Sequence, residues 1–180
     1  MDKKSARALA KARLNLLSDA EKLIKSGVIA LDILSYVDEN PIKSAFVYMS
    51  AGNEVQTGAI IDGLLSRGVK VYIPKVTGDD MLLSAYSKEA VLTKNVFGID
   101  EMEDGAEFFD AELNVVPVVA FDQNLSRLGH GKGYYDRYLK NAKGRVVAVA
   151  YDCQEIDDIE CESHDIKMQI VFTESGRKGG

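Results

Sequence analysis

Eleven residues at 127–137, Arg-Leu-Gly-His-Gly-Lys-Gly-Tyr-Tyr-Asp-Arg, carry the densest chemistry in this 180-residue chain. Gly129, Gly131 and Gly133 alternate with side chains between an apolar run and a stretch of helical character, a pattern suited to cradling a phosphate. Glycine lets the backbone turn sharply and approach a ligand, and its N–H groups can face an anion where a helix start adds partial positive charge. Arg127 and Lys132 add full charges. Asp136, just inside the expected helix, is placed to hold a magnesium ion, which keeps several waters and accompanies substrate phosphates. The spacing matches neither GxxxxGK(S/T) nor GxGxxG. The bland alternative is a glycine-rich surface turn, and three glycines, three cations, an aspartate and two tyrosines in so short a stretch argue against it.

Such a loop needs a scaffold that delivers it to a ligand. Residues 2–17 carry Ala6, Leu9, Ala10, Arg13, Leu14 and Leu17 at helical spacing, and Ser18-Asp-Ala-Glu21 is a capping box opening a second helix that runs to about Val37. Beyond Pro41, 44–49 reads as a short buried strand, 54–67 as a helix ended by Gly68, and 69–73 as the next strand. Weaker strand patterns at 82–86 and 90–92 precede a near-continuous apolar strand at 115–121. The glycine loop leads into a helix over 133–142, with Gly144 behind it. Strands follow at 145–151 and 169–173, then a polar tail at 175–180. Strands that alternate with helices and lack a polar face predict an α/β fold: one domain over 1–180, with a largely parallel central sheet flanked by helices on both faces. Ligands of such sheets bind outside the carboxyl ends of the strands, so the glycine loop, Asn53-Glu54 and Pro74-Lys75 should meet at one edge.

Composition narrows the partners. A hydrophobic share of 46% suits a chain folded around a core, while a net charge of -6 argues against nucleic acid, which is bound by basic faces that neutralise phosphates. No apolar run approaches the roughly 18 residues of a membrane span, and the basic N-terminus lacks the apolar segment of a secretion signal, so a cytoplasmic protein is expected. Cys153 and Cys161 are too few for a disulfide framework. With His164 they form Cys-x7-Cys-x2-His, which lacks a fourth zinc ligand. Between Asn95 and Ser126 there is no Lys or Arg, while Asp100, Glu101, Glu103, Asp104, Glu107, Asp110, Glu112 and Asp122 fall in that span. These acids read as a solvated connection, as does most of a second acidic run from Asp152 to Asp165.

The stretch RLGHGKGYYDRYL closely resembles the signature of the 5-formyltetrahydrofolate cyclo-ligase (5,10-methenyltetrahydrofolate synthetase) family, and the likeness runs nearly end to end. Lys3-x-x-x-Arg7 precedes Ser18, Glu54-Val-Gln-Thr follows the first strand and Val71-Tyr-Ile-Pro-Lys75 marks the second. Phe97-Gly-Ile and Val116-Pro-Val-Val-Ala-Phe-Asp122 lead into the glycine loop, and His164-Asp165 completes the order. Three positions depart from the pattern: His130 stands where members usually carry Arg, Leu125 where a turn glycine is common, and Met102 where a proline would fall. His130 matters most, because arginine is charged at any working pH whereas an unperturbed histidine is mostly neutral above about pH 6.5.

The resemblance implies conversion of 5-formyltetrahydrofolate to 5,10-methenyltetrahydrofolate with ATP and Mg2+ as cofactors and release of ADP and phosphate. Phosphoryl transfer asks for positioning and charge neutralisation, hence cations, backbone N–H groups and magnesium ligands. The resemblance assigns ATP to Lys3, Arg7, Arg127, Leu128, Gly129, His130, Gly131, Lys132, Gly133, Tyr134 and Tyr135. It assigns the folate, with or without a polyglutamate tail, to Glu54, with Met49 as an apolar wall, and to His130, Gly131, Lys132, Gly133 and Tyr134. Lys132, Arg127 and Tyr134 are the expected catalytic groups, and Asp136 and Asp165 the magnesium pair. Each has an ordinary alternative. Lys3 and Arg7 are bases one turn apart on a helix, Asp136 and Glu54 are carboxylates at helix starts, Asp165 is a solvated loop acid, and Tyr134 and Tyr135 are core rings. A monomer or weak homodimer is expected, without nucleic-acid or membrane partners. Two other functions compete: a nucleotide- or folate-binding homologue without turnover, and a sugar-phosphate isomerase on a similar sheet, which needs an acid/base pair and no ATP.

Overall fold

The computed structural model describes residues 1–103, 105–108 and 110–180. Its helices are α1 (Lys3–Leu14), α2 (Asp19–Glu39), α3 (Gly58–Ser66) and α4 (Tyr134–Leu139). The strands are β1 (Ser44–Val47), β2 (Lys70–Thr77), β3 (Asp80–Ala85), β4 (Leu92–Lys94), β5 (Asp100–Met102), β6 (Ala106–Glu107), β7 (Leu113–Pro117), β8 (Ala120–Phe121), β9 (Arg127–Leu128), β10 (Arg145–Val149), β11 (Ile170–Thr173) and β12 (Gly176–Gly179). One eight-stranded sheet has the order β12-β11-β10-β7-β1-β2-β3-β6, while β4–β5 and β8–β9 are two-stranded ribbons. The five central strands from β11 to β2 are parallel, and β12, β3 and β6 add antiparallel edges.

Every residue of β1, β7 and β11 is buried, so both faces of the sheet are covered. Register shows what covers each. Phe46 pairs with Asn114, which pairs with Val146, putting these three on one face. There Phe46 packs on Tyr135 and Tyr138 of α4, at ring centroid distances of 6.2 and 5.3 Å, and the Tyr138 hydroxyl donates to Asn114 Oδ1 at 2.8 Å. Phe172 pairs with Val149 and so, by the two-residue period, lies on the opposite face, where Tyr36 of α2 meets it edge-on at 5.5 Å. Helices therefore lie on both faces of a largely parallel sheet, as the alternation of patterns requires.

The capping box at Ser18 forms as expected: Ser18 Oγ accepts from the Glu21 N–H at 3.2 Å and Glu21 Oε2 accepts from the Ser18 N–H at 2.8 Å. Other boundaries move, each for a physical reason. The helix expected from 54 begins only at Gly58, because 48–57 is tied into a loop by Tyr48 Oη to Val55 O at 2.7 Å and Thr57 Oγ1 to Tyr48 O at 2.8 Å. The apolar run at 115–121 breaks after Pro117, and its second half turns into the β8–β9 hairpin. The polar tail is a strand: Arg177 of β12 lies over Tyr36 and Phe172 and pairs with Asp32 and Glu39, each at 2.8 Å.

The acidic span is only partly solvated. Glu101 is buried and accepts from the Val76 N–H and Asn95 Nδ2 at 2.8 and 2.7 Å. Asp122, 1% exposed, accepts from the N–H groups of Asn124, Ser126 and Ile159. Asp110 and Glu112 accept from the N–H groups of Lys143 and Lys43. These carboxylates satisfy N–H donors of loops and, at Glu101, of the end of β2, and Asp104 lies outside the described residues.

Candidate active site

From β1 the chain winds to β2 on one side, and from β7 to β10 and β11 on the other, so the strand order reverses between β1 and β7. The loops leaving the carboxyl ends of these two strands must part there, and the crevice between them is where doubly wound sheets hold ligands. The loop after β1 carries Met49 and Glu54. The chain after β7 makes the β8–β9 hairpin and then the glycine loop. The two meet where His130 Nε2 lies 3.4 Å from Glu54 Oε1. The other Glu54 oxygen accepts from the Ala51 N–H at 2.8 Å, so Glu54 folds back on its own loop and caps no helix.

Two adjoining depressions flank the start of α3. One of about 400 Å³ is lined by Ser50, Ala51, Gly52, Glu54, Gln56 and Gly58. The other, about 310 Å³, takes Met49, Ile61 and Tyr86 as apolar wall and Asp62 and Asp100 as acids. Loop 50–57 is held from beneath by α2, through Ser26 Oγ accepting from the Gln56 N–H at 3.0 Å and Lys22 Nζ donating to Asn53 Oδ1 at 2.8 Å.

The glycine loop is built around guanidinium groups. Asp2 caps α1, and Ala6 and Ala10 are fully buried against Ala120, Leu128, Ile156 and Ile159. That contact turns Arg7 toward the loop and Lys3 toward Glu162 and Asp165. Arg7 Nε donates to Gly129 O at 2.9 Å, and a Cβ on Gly131 would come within 3.2 Å of Arg7 Nη2. Gly131 and Gly133 have φ of +92° and +74°, left-handed conformations that side chains with a Cβ rarely adopt. Arg127 is only 2% exposed; its Nη2 donates to Asp136 Oδ1 at 2.5 Å, its Nη1 to Pro117 O at 3.5 Å, and its Nε has no partner among the described residues. Lys132 is exposed, with Nζ 3.4 Å from the centroid of the Phe97 ring.

Tyr134 and Arg137 of α4 reach the turn between β2 and β3, Tyr134 Oη donating to Gly78 O at 3.2 Å and Arg137 Nη2 to Asp79 O at 2.6 Å. The third segment of the site is therefore this turn. Pro74-Lys75 lies within β2, and the Lys75 ammonium is spent on Glu103 O. Tyr135 stacks under Arg127 and against Phe46, and burial pushes its phenol well above the usual range. Leu128 points into the small core beneath α1, so its side chain faces away from the loop's ligand side. At six residues, α4 is too short to supply much helix-end charge, which leaves anion binding to the cations and the loop's own N–H groups.

Asp136 and Asp165 share no contact in this structure. Asp136 is the counter-ion of Arg127 through Oδ1, and its Oδ2 has no hydrogen-bond partner among the described residues. Both oxygens of Asp165 are engaged: Lys3 Nζ lies 3.0 and 2.7 Å from them, and Oδ2 also accepts from the Glu162 N–H at 2.7 Å. Burial opposes charge on Asp165, yet the Glu162 N–H and Lys3 hold its carboxyl below the usual range. Burial likewise opposes charge on Lys3, and Asp165 and Glu162 keep its ammonium above the ordinary value. Glu162, His164 and Asp165 bring ligating atoms within 4.8 Å of one another, and neither cysteine belongs to this group.

A doubly wound sheet whose switch-point crevice is lined by a glycine loop and several cations is an architecture suited to an anionic small molecule. Comparison with known proteins narrows this. The profile of the 5-formyltetrahydrofolate cyclo-ligase family matches residues 1–174, and the chain belongs to that family. The 5-formyltetrahydrofolate cyclo-ligase of Mus musculus is 30% identical over 189 residues, covering 96% of this chain and 93% of the mouse protein. That of Escherichia coli K12 is 32% identical over 139 residues, 72% of this chain and 76% of its own. Among solved structures, Aquifex aeolicus 5,10-methenyltetrahydrofolate synthetase superposes with a TM-score of 0.81 at 30% identity, over 98% of this chain and 92% of that one.

Proposed function

We propose that the protein closes 5-formyltetrahydrofolate to 5,10-methenyltetrahydrofolate at the β1/β7 crevice, consuming ATP in the presence of Mg2+ and releasing ADP and phosphate. The observation that carries this reading is the meeting of His130 with Glu54, which brings a phosphate-type glycine loop against a loop that lines two depressions. A pterin and an ATP γ-phosphate bound on these two loops would touch.

The formyl oxygen of the substrate is a poor leaving group. It attacks the γ-phosphorus, ADP departs, and an iminophosphate-like intermediate forms. N10 then adds to the formyl carbon and gives up its proton to solvent, the C–O bond breaks, and phosphate leaves. Lys132 and Arg7 neutralise the charge on the transferring group, the N–H groups of Gly129 to Gly133 orient it, and Tyr134 borders it from α4. Arg127 holds Asp136, and its buried Nε–H has no partner among the described residues. The all-oxygen donors fit magnesium, which takes one or two carboxylates beside phosphate oxygens and water. Asp136 would hold it through the open Oδ2, and Asp165 would join by releasing Lys3, whose ammonium is then free for a phosphate. When bound, the ion supplies charge neutralisation on the phosphates.

Glu54 and Met49 are assigned to the folate, polyglutamylated or not. Two free cysteines suit a cytoplasmic enzyme. Among the described residues no helix is long and apolar enough to cross a membrane. The test is the near-ultraviolet band of methenyltetrahydrofolate, followed from 5-formyltetrahydrofolate with and without ATP and magnesium. The band should appear only when both are present; equal rates without ATP would end the proposal.

A further inference from the structure

Arg137, exposed on α4, holds backbone carbonyls of two separate segments. Its Nη1 donates to Lys132 O at 3.2 Å, while Nε and Nη2 donate to Asp79 O in the β2–β3 turn at 3.0 and 2.6 Å. The guanidinium also lies 5.1 Å from the centre of the Tyr134 ring. Arg127 and Lys3 are paired with carboxylates, whereas Arg137 has no carboxylate partner among the described residues. A Cβ on Gly133, at φ +74°, would come within 2.8 Å of Arg137 Nη1, so a side chain there would push the guanidinium off its carbonyl. Across a trans peptide the carbonyl and the following N–H point in opposite directions. Arg137 on Lys132 O therefore directs the Gly133 N–H away from itself, as Arg7 on Gly129 O does for the His130 N–H. From Gly129 to Gly133 no backbone N–H has a hydrogen-bond partner among the described residues. These donors are free for an anion, and the two arginines set where two of them point.

We propose, resting on the phosphate role given to this loop, that Arg137 is a positioning residue for phosphoryl transfer: by bridging Lys132 O and Asp79 O it fixes the 132–133 peptide with the Gly133 N–H turned to the transferring group. A lysine at 137 would keep the charge but lose the planar fork that reaches two carbonyls at once. Removing one aimed donor from a developing oxyanion costs on the order of a hundredfold or more in kcat, and turning one aside costs less, about ten- to a hundredfold. Because the N–H is aimed at charge that grows during transfer, the loss falls on kcat and not on KM for the folate. A strut that only tied α4 to the β2–β3 turn would leave the 132–133 peptide, and so the Gly133 N–H, as it is.

Kinetics of Arg137→Ala and Arg137→Lys, beside amide spectra of nitrogen-15-labelled protein, test this. Arg137→Ala should stay folded, lose about ten- to a hundredfold in kcat and keep KM for 5-formyltetrahydrofolate within about twofold. Free guanidinium at about 50 mM, well below denaturing concentrations, should restore part of its rate, and methylammonium at the same concentration should not. Arg137→Lys should stay close to the alanine variant. Inorganic tripolyphosphate, which offers the anion without the nucleoside, should move the Gly133 and Gly131 amide protons downfield in the parent, and only that of Gly131 in Arg137→Ala. An alanine variant that turns over like the parent, a lysine variant with the parent's rate, equal rescue by the two cations, or the same Gly133 response in both proteins would overturn the proposal. A parent without turnover would end the cyclo-ligase reading instead, and the amide response would still decide the role of Arg137.

Discussion

Arg127 donates to Asp136 at 2.5 Å from a guanidinium that is 2% exposed, so the aspartate expected to hold magnesium is also the counter-ion of a buried arginine. Two roles on one carboxylate separate experimentally. Asp136→Asn should lose about 2–3 kcal/mol of stability, because the buried charge keeps a dipole but loses its ion, and should also need more magnesium for half-maximal rate. Lys132→Ala, on an exposed ammonium, should leave stability within about 0.5 kcal/mol while lowering kcat/KM at least tenfold, roughly 1.4 kcal/mol. Denaturant titration beside magnesium-dependent kinetics checks both. If both variants turn over like the parent, the loop is a structural turn.

His130 sits between the carboxylate of Glu54 and the side of the loop assigned to phosphate. A phosphate on the loop binds an imidazolium better than a neutral imidazole, so ATP affinity should fall as pH rises, and His130→Arg should flatten the dependence because a guanidinium keeps its charge. Binding of ATP from about pH 5.5 to 8.5 spans the range where imidazoles titrate. Identical profiles for the two proteins would leave phosphate binding to the backbone, Lys132 and the arginines.

Leu125 stands at φ +59°, a left-handed position that favours glycine, and its half-buried side chain packs on the core. Strain of about 1–2 kcal/mol there reverses the usual order of truncations. Leu125→Gly should cost less than Leu125→Ala, by roughly 1 kcal/mol, since alanine keeps the strain and loses the packing, while glycine loses only the packing. Denaturation midpoints decide it, and alanine as the milder change would contradict the backbone reading.

The Lys3–Asp165 contact carries an acid-stability signature. Asp165 is held below the ordinary carboxyl range against its own burial, so its contribution is present above about pH 4 and is lost as pH falls through the depressed value. Lys3→Met lets that carboxyl rise, and the acid unfolding midpoint should move up by a few tenths of a pH unit. An unmoved midpoint would mean that the Glu162 N–H alone holds Asp165.

Much of this was legible in the sequence because local chemistry agreed with the fold. Ser18 and Glu21 cap where they stand, the apolar runs that pair as β1, β7, β10 and β11 needed no tertiary help, and the glycines at 131 and 133 occupy left-handed positions. What was missed depends on partners distant in sequence. Nothing near Arg177 says that Tyr36 and Glu39 will turn a tail into β12. Glu101 and Asp122 read as surface acids because the N–H groups they satisfy belong to the end of β2 and to loops whose paths the sequence does not define. Within the site, the spacing indicated cations and carboxylates but not their pairing: Arg127 with Asp136 and Lys3 with Asp165 follow from the docking of α4 and α1.

Phosphoryl activation of the formyl oxygen is the central claim, and the fate of that oxygen tests it. With 5-formyltetrahydrofolate labelled by oxygen-18 in the formyl group, turnover with ATP and magnesium should place the label in the released inorganic phosphate, one atom per methenyltetrahydrofolate formed. Phosphate released without label, with the heavy oxygen in water instead, would contradict the account.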